Sequence, residues 1–302
     1  MKKNIKAGPL TLDIIKLGRF QFILGGFLLY IFGAQIAHLS GIELSFDRIL
    51  LGYLVLFFSH LSVSYSNDYF DFETDKNNER SFFSGGSGIL LRSPKLRELA
   101  KKIAIVLITL SFLTAIMLVL FFDFSPIILV FSLIGNFCGW YYSAPPLKFS
   151  KKLYGNLIFA AVVGLMVPTY GNFVSSGTIT MHMIIFSTPL LFYGFAFTLS
   201  VQLPDIENDK KIGKKNFAII FGKKSTLVAI ALLHLFASMS LLLYSFIWGT
   251  YPYLAIFAFS LLPSFVSLMV LLAGEISNIT KANAFISSSA IFMLLCNLYL
   301  LI

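Results

Sequence analysis

The stretch "NDYFDFETD", from Asn67 to Asp75, sets Asp68, Asp71, Glu73 and Asp75 close together directly after a long apolar segment. If that segment is a helix that continues through the motif, Asp68 and Asp71 stand at i and i+3, and Asp71 and Asp75 at i and i+4. All three carboxylates then share one face. A second run, Asp205-Ile-Glu-Asn-Asp209, repeats the i, i+4 spacing behind another apolar segment. Like charges so spaced destabilise a helix by roughly 0.2–0.5 kcal/mol per pair, and withdrawal of water near lipid adds to that cost. A divalent cation offsets both. Mg2+ prefers oxygen ligands, takes one or two carboxylates, and fills its other positions with water and substrate phosphate. Two clusters opposed across a cavity could hold two or more such ions, which could bridge a diphosphate.

The basic residues accord with that chemistry. Lys76 and Arg80 follow the first cluster; Lys210, Lys211, Lys214 and Lys215 follow the second; Lys148, Lys151 and Lys152 come from a third loop. Acids hold the ion while Lys and Arg hold phosphate oxygens. Taken singly, such loop cations serve membrane topology, and a lone Asp at a helix end is a cap; two matched clusters at helical spacing ask for more. His38, His60, His182 and His234 are scattered, which argues against a histidine metal site, and no Ser/His/Asp order stands out. "SGGSG", Ser84 to Gly88, would either cradle a phosphate with backbone N–H groups or act as a hinge; no strand precedes it as in a nucleotide loop. The 33 Phe and 13 Tyr would line an intramembrane cavity with aromatic rings, which suit an isoprenoid and can stabilise a cation.

The elements that position these groups lie in a membrane. The chain of 302 residues is 57% hydrophobic and 12% charged, with a mean hydropathy of +0.84. A soluble domain carries about a quarter charged residues. Nine runs near the roughly 20 residues that a bilayer requires fall at about 20–39, 48–66, 102–122, 124–142, 153–171, 183–202, 226–247, 251–272 and 284–302. Backbone groups left unpaired in lipid force these to be helices, and the alternating strands of a barrel would not give such unbroken runs. With the N-terminus in the cytoplasm, 22 of the 23 Lys and Arg fall in cytoplasmic segments and only Arg48 lies opposite, as the positive-inside rule requires. That pattern accounts for the net charge of +9 without nucleic acid. No cleavage pattern precedes the first run, which is expected to remain as a helix. Cys138 and Cys296 lie inside apolar runs and are expected to pack, with no disulfide or zinc.

The expected architecture is a single all-α, polytopic membrane domain over 1–302, with nine transmembrane helices around a central cavity. Both acidic clusters face the cytoplasm, and loops at about 67–101 and 203–225 lie over the site. The clusters follow helices 2 and 6, four apart, as an internal duplication of four helices plus a ninth would place them.

In these features the chain resembles the UbiA superfamily of intramembrane prenyltransferases. That family's first signature, NDxxDxxxD, is complete at Asn67, Asp68, Asp71 and Asp75; its second, DxxxD, stands at Asp205 and Asp209, followed by "KKIGKKNFAIIFG". "YSAPPLKFS", Tyr142 to Ser150, resembles the loop after helix 4 in several branches. The resemblance implies an enzyme that binds a polyprenyl diphosphate through two or more Mg2+ ions held by both motifs. Loss of diphosphate gives an allylic carbocation, and an acceptor attacks C1. By the same resemblance Asn67, Asp71, Asp75, Asp205 and Asp209 are metal ligands. Asp71 and Asp205 are catalytic together with Asp68, which helps hold the ions or orients a base. Arg19, Asn67, Lys76, Arg80, Tyr142, Lys148 and Lys210 are the implied diphosphate contacts.

Within the family the motifs are most similar to the menaquinone branch, which prenylates a dihydroxynaphthoate, so the expected acceptor is aromatic. Two positions differ from it: Pro204 stands where that branch usually has Arg, and Gly88 stands where Arg is often fourth in the glycine loop. An isoprenoid glyceryl phosphate is the alternative acceptor, although the Asn-Arg-Pro segment usual in that branch is missing. A cation transporter with acidic rings is a third reading. Transporters place ionisable groups near the bilayer midplane, whereas these acids stand at helix ends.

Overall fold

The computed structural model describes residues 10–76, 86–249, 251–273 and 276–302. The described chain is helical throughout its ordered elements, and eight of its helices are long and apolar enough to cross a membrane. A short helix, α1 (Leu10–Leu17), leads into the first span, α2 (Phe20–Leu39), through Arg19 in the left-handed conformation. The second span, α3 (Phe46–Phe70), starts at Ser45, whose hydroxyl accepts from the Arg48 N–H. A single turn, α4 (Phe72–Asp75), follows its end. Beyond residues 77–85 a second single turn, α5 (Ile89–Arg92), and a 3-10 turn at Pro94–Leu96 lead into α6 (Arg97–Phe121).

The fourth expected span is α7 (Ile127–Ser143). Its 17 residues give about 25 Å of helix, short of the roughly 30 Å hydrocarbon core. The fifth is one column in three parts: α8 (Leu153–Ala160), a π-helical stretch at Ala161–Met166, and α9 (Val167–Ser176). After it come α10 (Met181–Gln202), the short α11 (Ile206–Lys211), α12 (Phe217–Trp248), α13 (Tyr251–Leu272) and α14 (Asn278–Tyr299). Helix α12 begins earlier than its apolar run because the Asn216 side chain caps it, accepting from the Ile219 N–H. The helix then breaks at Gly222, where φ is 80°.

Helix α3 packs on α6 and α7, α2 on α9, α10 on α12, and α13 on α12 and α14. The α2–α9 crossing admits no side chain. A Cβ on Gly33 would stand 1.9 Å from the Pro168 carbonyl oxygen, and one on Gly171 would stand 1.9 Å from that of Tyr30. Such backbone approach is how helices gain dispersion contact in lipid, where apolar burial gives little. The outer surface carries Leu24, Leu113, Leu133, Phe246 and Leu294, all exposed, as a lipid-facing surface should. Cys138 and Cys296 are both free thiols.

Helices α3 and α10 deliver the two acidic motifs. Helix α3 loses regular geometry at Asp71, whereas α10 ends at Gln202 and reaches Asp205 through a turn; beyond each of these aspartates a helical hydrogen bond leads to the second. The Asp71 N–H donates to the Asn67 carbonyl, Asp75 to Asp71, and Asp209 to Asp205, each at 2.8 Å. In both halves the side chain three residues before that Asp accepts a backbone N–H from the returning chain: Asp68 from Ser87 at 3.2 Å and Gln202 from Ala218 at 3.4 Å.

Candidate active site

The first motif is held from two directions. Asp68 is 5% exposed and accepts from both the N–H and the hydroxyl of Ser87. Asp71 accepts from the hydroxyl of Ser143, at the end of α7. Asp75 faces Gly86, where φ is +67° and an added Cβ would lie 2.2 Å from Asp75 Oδ2. Glycine alone combines that backbone with that approach. Asn67 Oδ1 is buried without a hydrogen-bond partner.

In the second motif Asp205 and Asp209 are 7% and 2% exposed. Asp209 accepts from the Asn216 amide at 3.1 Å and lies 2.7 Å from Lys214 Nζ. Gly213, at φ +70°, turns the chain back so that the Lys214 N–H also reaches the Asp209 carbonyl at 3.1 Å.

The two motifs meet electrostatically at one end of the bundle. Asp71 and Asp209 repel each other, and the Lys214 charge acts on Asp209, Asp71 and Asp205 together. Lys151 acts on Asp71, while Arg19 acts on Asp68 and Asp75. Burial pushes the Asp71 carboxyl up, against the Ser143 hydrogen bond and the two lysines. Burial, followed by repulsion from Asp71 and Asp68, pushes Asp75 up to about 7. Burial also opposes the Lys214 charge, but its three carboxylates outweigh that and hold it above the ordinary lysine value.

Aromatic rings join the same site. The Arg19 guanidinium lies 4.4 Å from the Phe22 ring centroid. Phe22 meets Phe197 at 6.4 Å, Phe197 stacks on Phe159 at 5.6 Å, and Phe159 meets Tyr142 at 6.0 Å. Tyr142 is within electrostatic reach of Arg19, Lys214, Asp71 and Asp209. Helices α2, α7, α8 and α10 thus supply one aromatic wall beside the carboxylates.

Five carboxylates against Lys214, Arg19 and Lys151, with the orphaned Asn67 Oδ1, form an all-oxygen donor set that fits a hard divalent cation. Among the described residues no three His, Cys, Asp or Glu side chains group closely enough to hold an ion by themselves.

The structure gathers Arg19, Asn67, Asp68, Asp71, Asp75, Tyr142, Asp205 and Asp209. It turns Lys76 onto Glu73 at 2.6 Å, where both are exposed. Lys148 and the exposed Lys210 contact none of the carboxylates among the described residues. Arg80 lies outside the described residues, as do Ser84 and Gly85 of the glycine loop. Of the lysines that follow the motifs in sequence, Lys214 and Lys151 carry charge to the site. Ser87, Ser143 and Asn216 were not singled out by the sequence. Lys214 is one of four lysines after the second motif, and only the Gly213 turn selects it. Ser87 lies in the "SGGSG" segment and Ser143 next to Tyr142, which were the available signals.

The UbiA prenyltransferase family model matches residues 27–289. The 1,4-dihydroxy-2-naphthoate octaprenyltransferase of Bacillus subtilis (strain 168) is 28% identical over 188 residues, covering 60% of this chain and 58% of that one. The chloroplastic 2-acyl-4-prenylphloroglucinol 6-prenyltransferase of Humulus lupulus is 23% identical over 206 residues, covering 65% of this chain and 48% of that one. The match therefore spans about half the length of these relatives. A UbiA homolog from Archaeoglobus fulgidus bound to GPP and Mg2+ has a TM-score of 0.69 at 18% identity, covering 95% of this chain and all of that one. A digeranylgeranylglyceryl phosphate synthase structure has a TM-score of 0.66 at 21% identity, covering 95% of this chain and 97% of that one. Fold, apolar helices and family model agree: the chain is an integral, multi-pass membrane protein and belongs to the UbiA prenyltransferase family.

Proposed function

We propose that the protein transfers a polyprenyl group from a polyprenyl diphosphate to an aromatic acceptor, in a reaction that requires Mg2+. The observation that carries the reading is the meeting of both acidic motifs around Lys214. Asn67, Asp71 and Asp75 would hold Mg2+ from one side and Asp205 and Asp209 from the other, with two or more ions in all. When bound, Mg2+ supplies Lewis acidity and neutralises charge on the leaving diphosphate.

The chain's own groups do the rest. Lys214, Arg19 and Lys151 attract the diphosphate oxygens, on which the electron pair of the breaking C1–O bond ends. The wall of Phe22, Phe197, Phe159 and Tyr142 faces the allylic cation with ring π-density and keeps water from capturing it. The acceptor carbon then bonds to C1 and loses its proton, with Asp68 orienting the group that takes it. The positive-inside charge pattern supports a site on the cytoplasmic side, with the loops at about 67–101 and 203–225 of the single domain over it.

The Bacillus subtilis relative favours a dihydroxynaphthoate-like acceptor. An isoprenoid glyceryl phosphate is the second reading, favoured by the fold shared with a digeranylgeranylglyceryl phosphate synthase. One labelled prenyl diphosphate offered with a panel of both acceptor classes, with Mg2+ and with EDTA, tests the proposal. Mg2+-dependent label on an aromatic acceptor is expected; label only on the glyceryl phosphate would transfer the case to the second reading.

A further inference from the structure

Helix α1 is short, yet it carries a buried charge. Asp13 is 2% exposed. Its two carboxylate oxygens receive Arg92 Nη2 at 3.3 Å and the Ser93 hydroxyl at 3.2 Å. Beside it the Tyr65 hydroxyl donates to the Ile14 carbonyl at 2.9 Å. Leu17 packs in one apolar cluster with Leu61, Ile89 and Leu90. The opposite face of α1 exposes Leu12 and Ile15, which suits a helix lying in the membrane interface.

Arg92 and Ser93 end the segment that begins at Gly86 and Ser87, the residues that touch Asp75 and Asp68. Within it the Ile89 N–H donates to Ser87 Oγ at 3.1 Å and the Ser93 N–H to the Ile89 carbonyl at 2.9 Å. The segment is a single helical turn with few backbone bonds of its own. Asp13 holds one end and Asp68 takes the other. Replacing a buried ion pair with apolar side chains is often neutral or stabilising. The Asp13–Arg92 pair, buried on the Asp13 side and part-exposed on the Arg92 side, ties α1 to this turn and so acts on its geometry.

We propose that Asp13 is a positioning residue for the active site: by holding Arg92 and Ser93, it keeps Ser87 on Asp68 and Gly86 against Asp75. The inference rests on the proposed function only in that those carboxylates serve Mg2+-diphosphate binding. Its consequence is specific. Loosening the segment weakens substrate and Mg2+ binding more than it slows the bound reaction.

The test compares Asp13→Asn, Arg92→Gln and the double variant in detergent-solubilised full-length protein. Two readouts are taken: prenyl transfer resolved into KM and kcat, and amide hydrogen exchange over residues 86–93. Each single variant is expected to raise KM for the prenyl diphosphate about tenfold, with a smaller change in kcat, and to speed exchange of the segment about tenfold. The double variant should be no worse than the poorer single one, as for two residues acting through one contact. Additive losses, wild-type exchange in the segment, or faster exchange spread evenly through α10 and α12 would each overturn the proposal. If the wild-type protein transfers no prenyl group, the functional reading fails while the exchange measurement still decides whether Asp13 holds the segment.

Discussion

Asp71 and Asp205 hold the same backbone conformation, φ −91° and ψ 5° in one, φ −97° and ψ 1° in the other. The surrounding region of conformational space is sparsely used and recurs at active sites. In both motifs it stands at the first carboxylate of the i, i+4 pair, after which one more turn of hydrogen bonding delivers the second. The repeated bend lets two helices present four carboxylates toward a shared centre.

Lys214 is the cation at that centre. Lys214→Met should lower the stability of metal-free protein by about 3 kcal/mol, because it leaves the buried Asp209 carboxylate uncompensated. Thermal unfolding in detergent with EDTA measures this. Added Mg2+ should recover part of the loss. Unfolding that is unchanged in both media would deny Lys214 its place between the motifs.

Ser143 gives Asp71 its hydroxyl hydrogen bond. A hydrogen bond to a charged group is worth about 1.5–3 kcal/mol. Ser143→Ala should therefore cut prenyl transfer about tenfold or more while the protein remains folded. Ser143→Thr, which keeps the hydroxyl, should retain most of it. Equal rates in Ser143→Ala and wild type would remove this residue from the site.

Gly86→Ala places a methyl group where Asp75 Oδ2 stands, on a left-handed backbone. The backbone alone costs about 1–2 kcal/mol. Transfer activity should fall about tenfold, with little change in the unfolding temperature of the helical bundle. Full activity would show that the Gly86–Asp75 approach is not used.

Asp75 gives the site a pH signature. Its carboxyl titrates at about 7 in the folded chain against an ordinary 3.8. The folded state thus binds the proton more tightly than the unfolded one. That stabilisation is complete below the ordinary value and is lost as pH rises through about 7. In EDTA the unfolding temperature should fall between about pH 5 and about pH 8, and Mg2+ should restore most at the alkaline end, where it meets no bound proton. Asp75→Asn should flatten the profile; a wild-type profile already flat would contradict the assignment.

Much of this was legible in the sequence because lipid imposes strict patterns. Unbroken apolar runs located the eight helices long and apolar enough to cross a membrane, with the ninth expected run forming the shorter α7, and the aspartates at i and i+4 marked both motifs. What escaped were contacts made by chain reversal. Nothing local in "DKKIGKK" says that Lys214, past the Gly213 turn, returns to Asp209 while Lys210 points outward. Ser87 and Ser143 meet Asp68 and Asp71 through tertiary folding of separate loops. Lys76 looked apt by proximity in sequence, but the turn of α4 leaves it beside Glu73. The π-helical stretch at Ala161–Met166 and the early start of α12 at Phe217 likewise depend on packing and capping that hydropathy does not record.

The central claim is that both acidic motifs hold one Mg2+-diphosphate together. Equilibrium binding of a labelled prenyl diphosphate to wild type, Asp71→Asn and Asp205→Asn, each with Mg2+ and with EDTA, tests it most directly. The account predicts that wild-type binding requires Mg2+ and that either substitution weakens it by about a hundredfold, with the fold intact. Binding indifferent to EDTA, or an Asp205→Asn variant that binds like wild type, would contradict it.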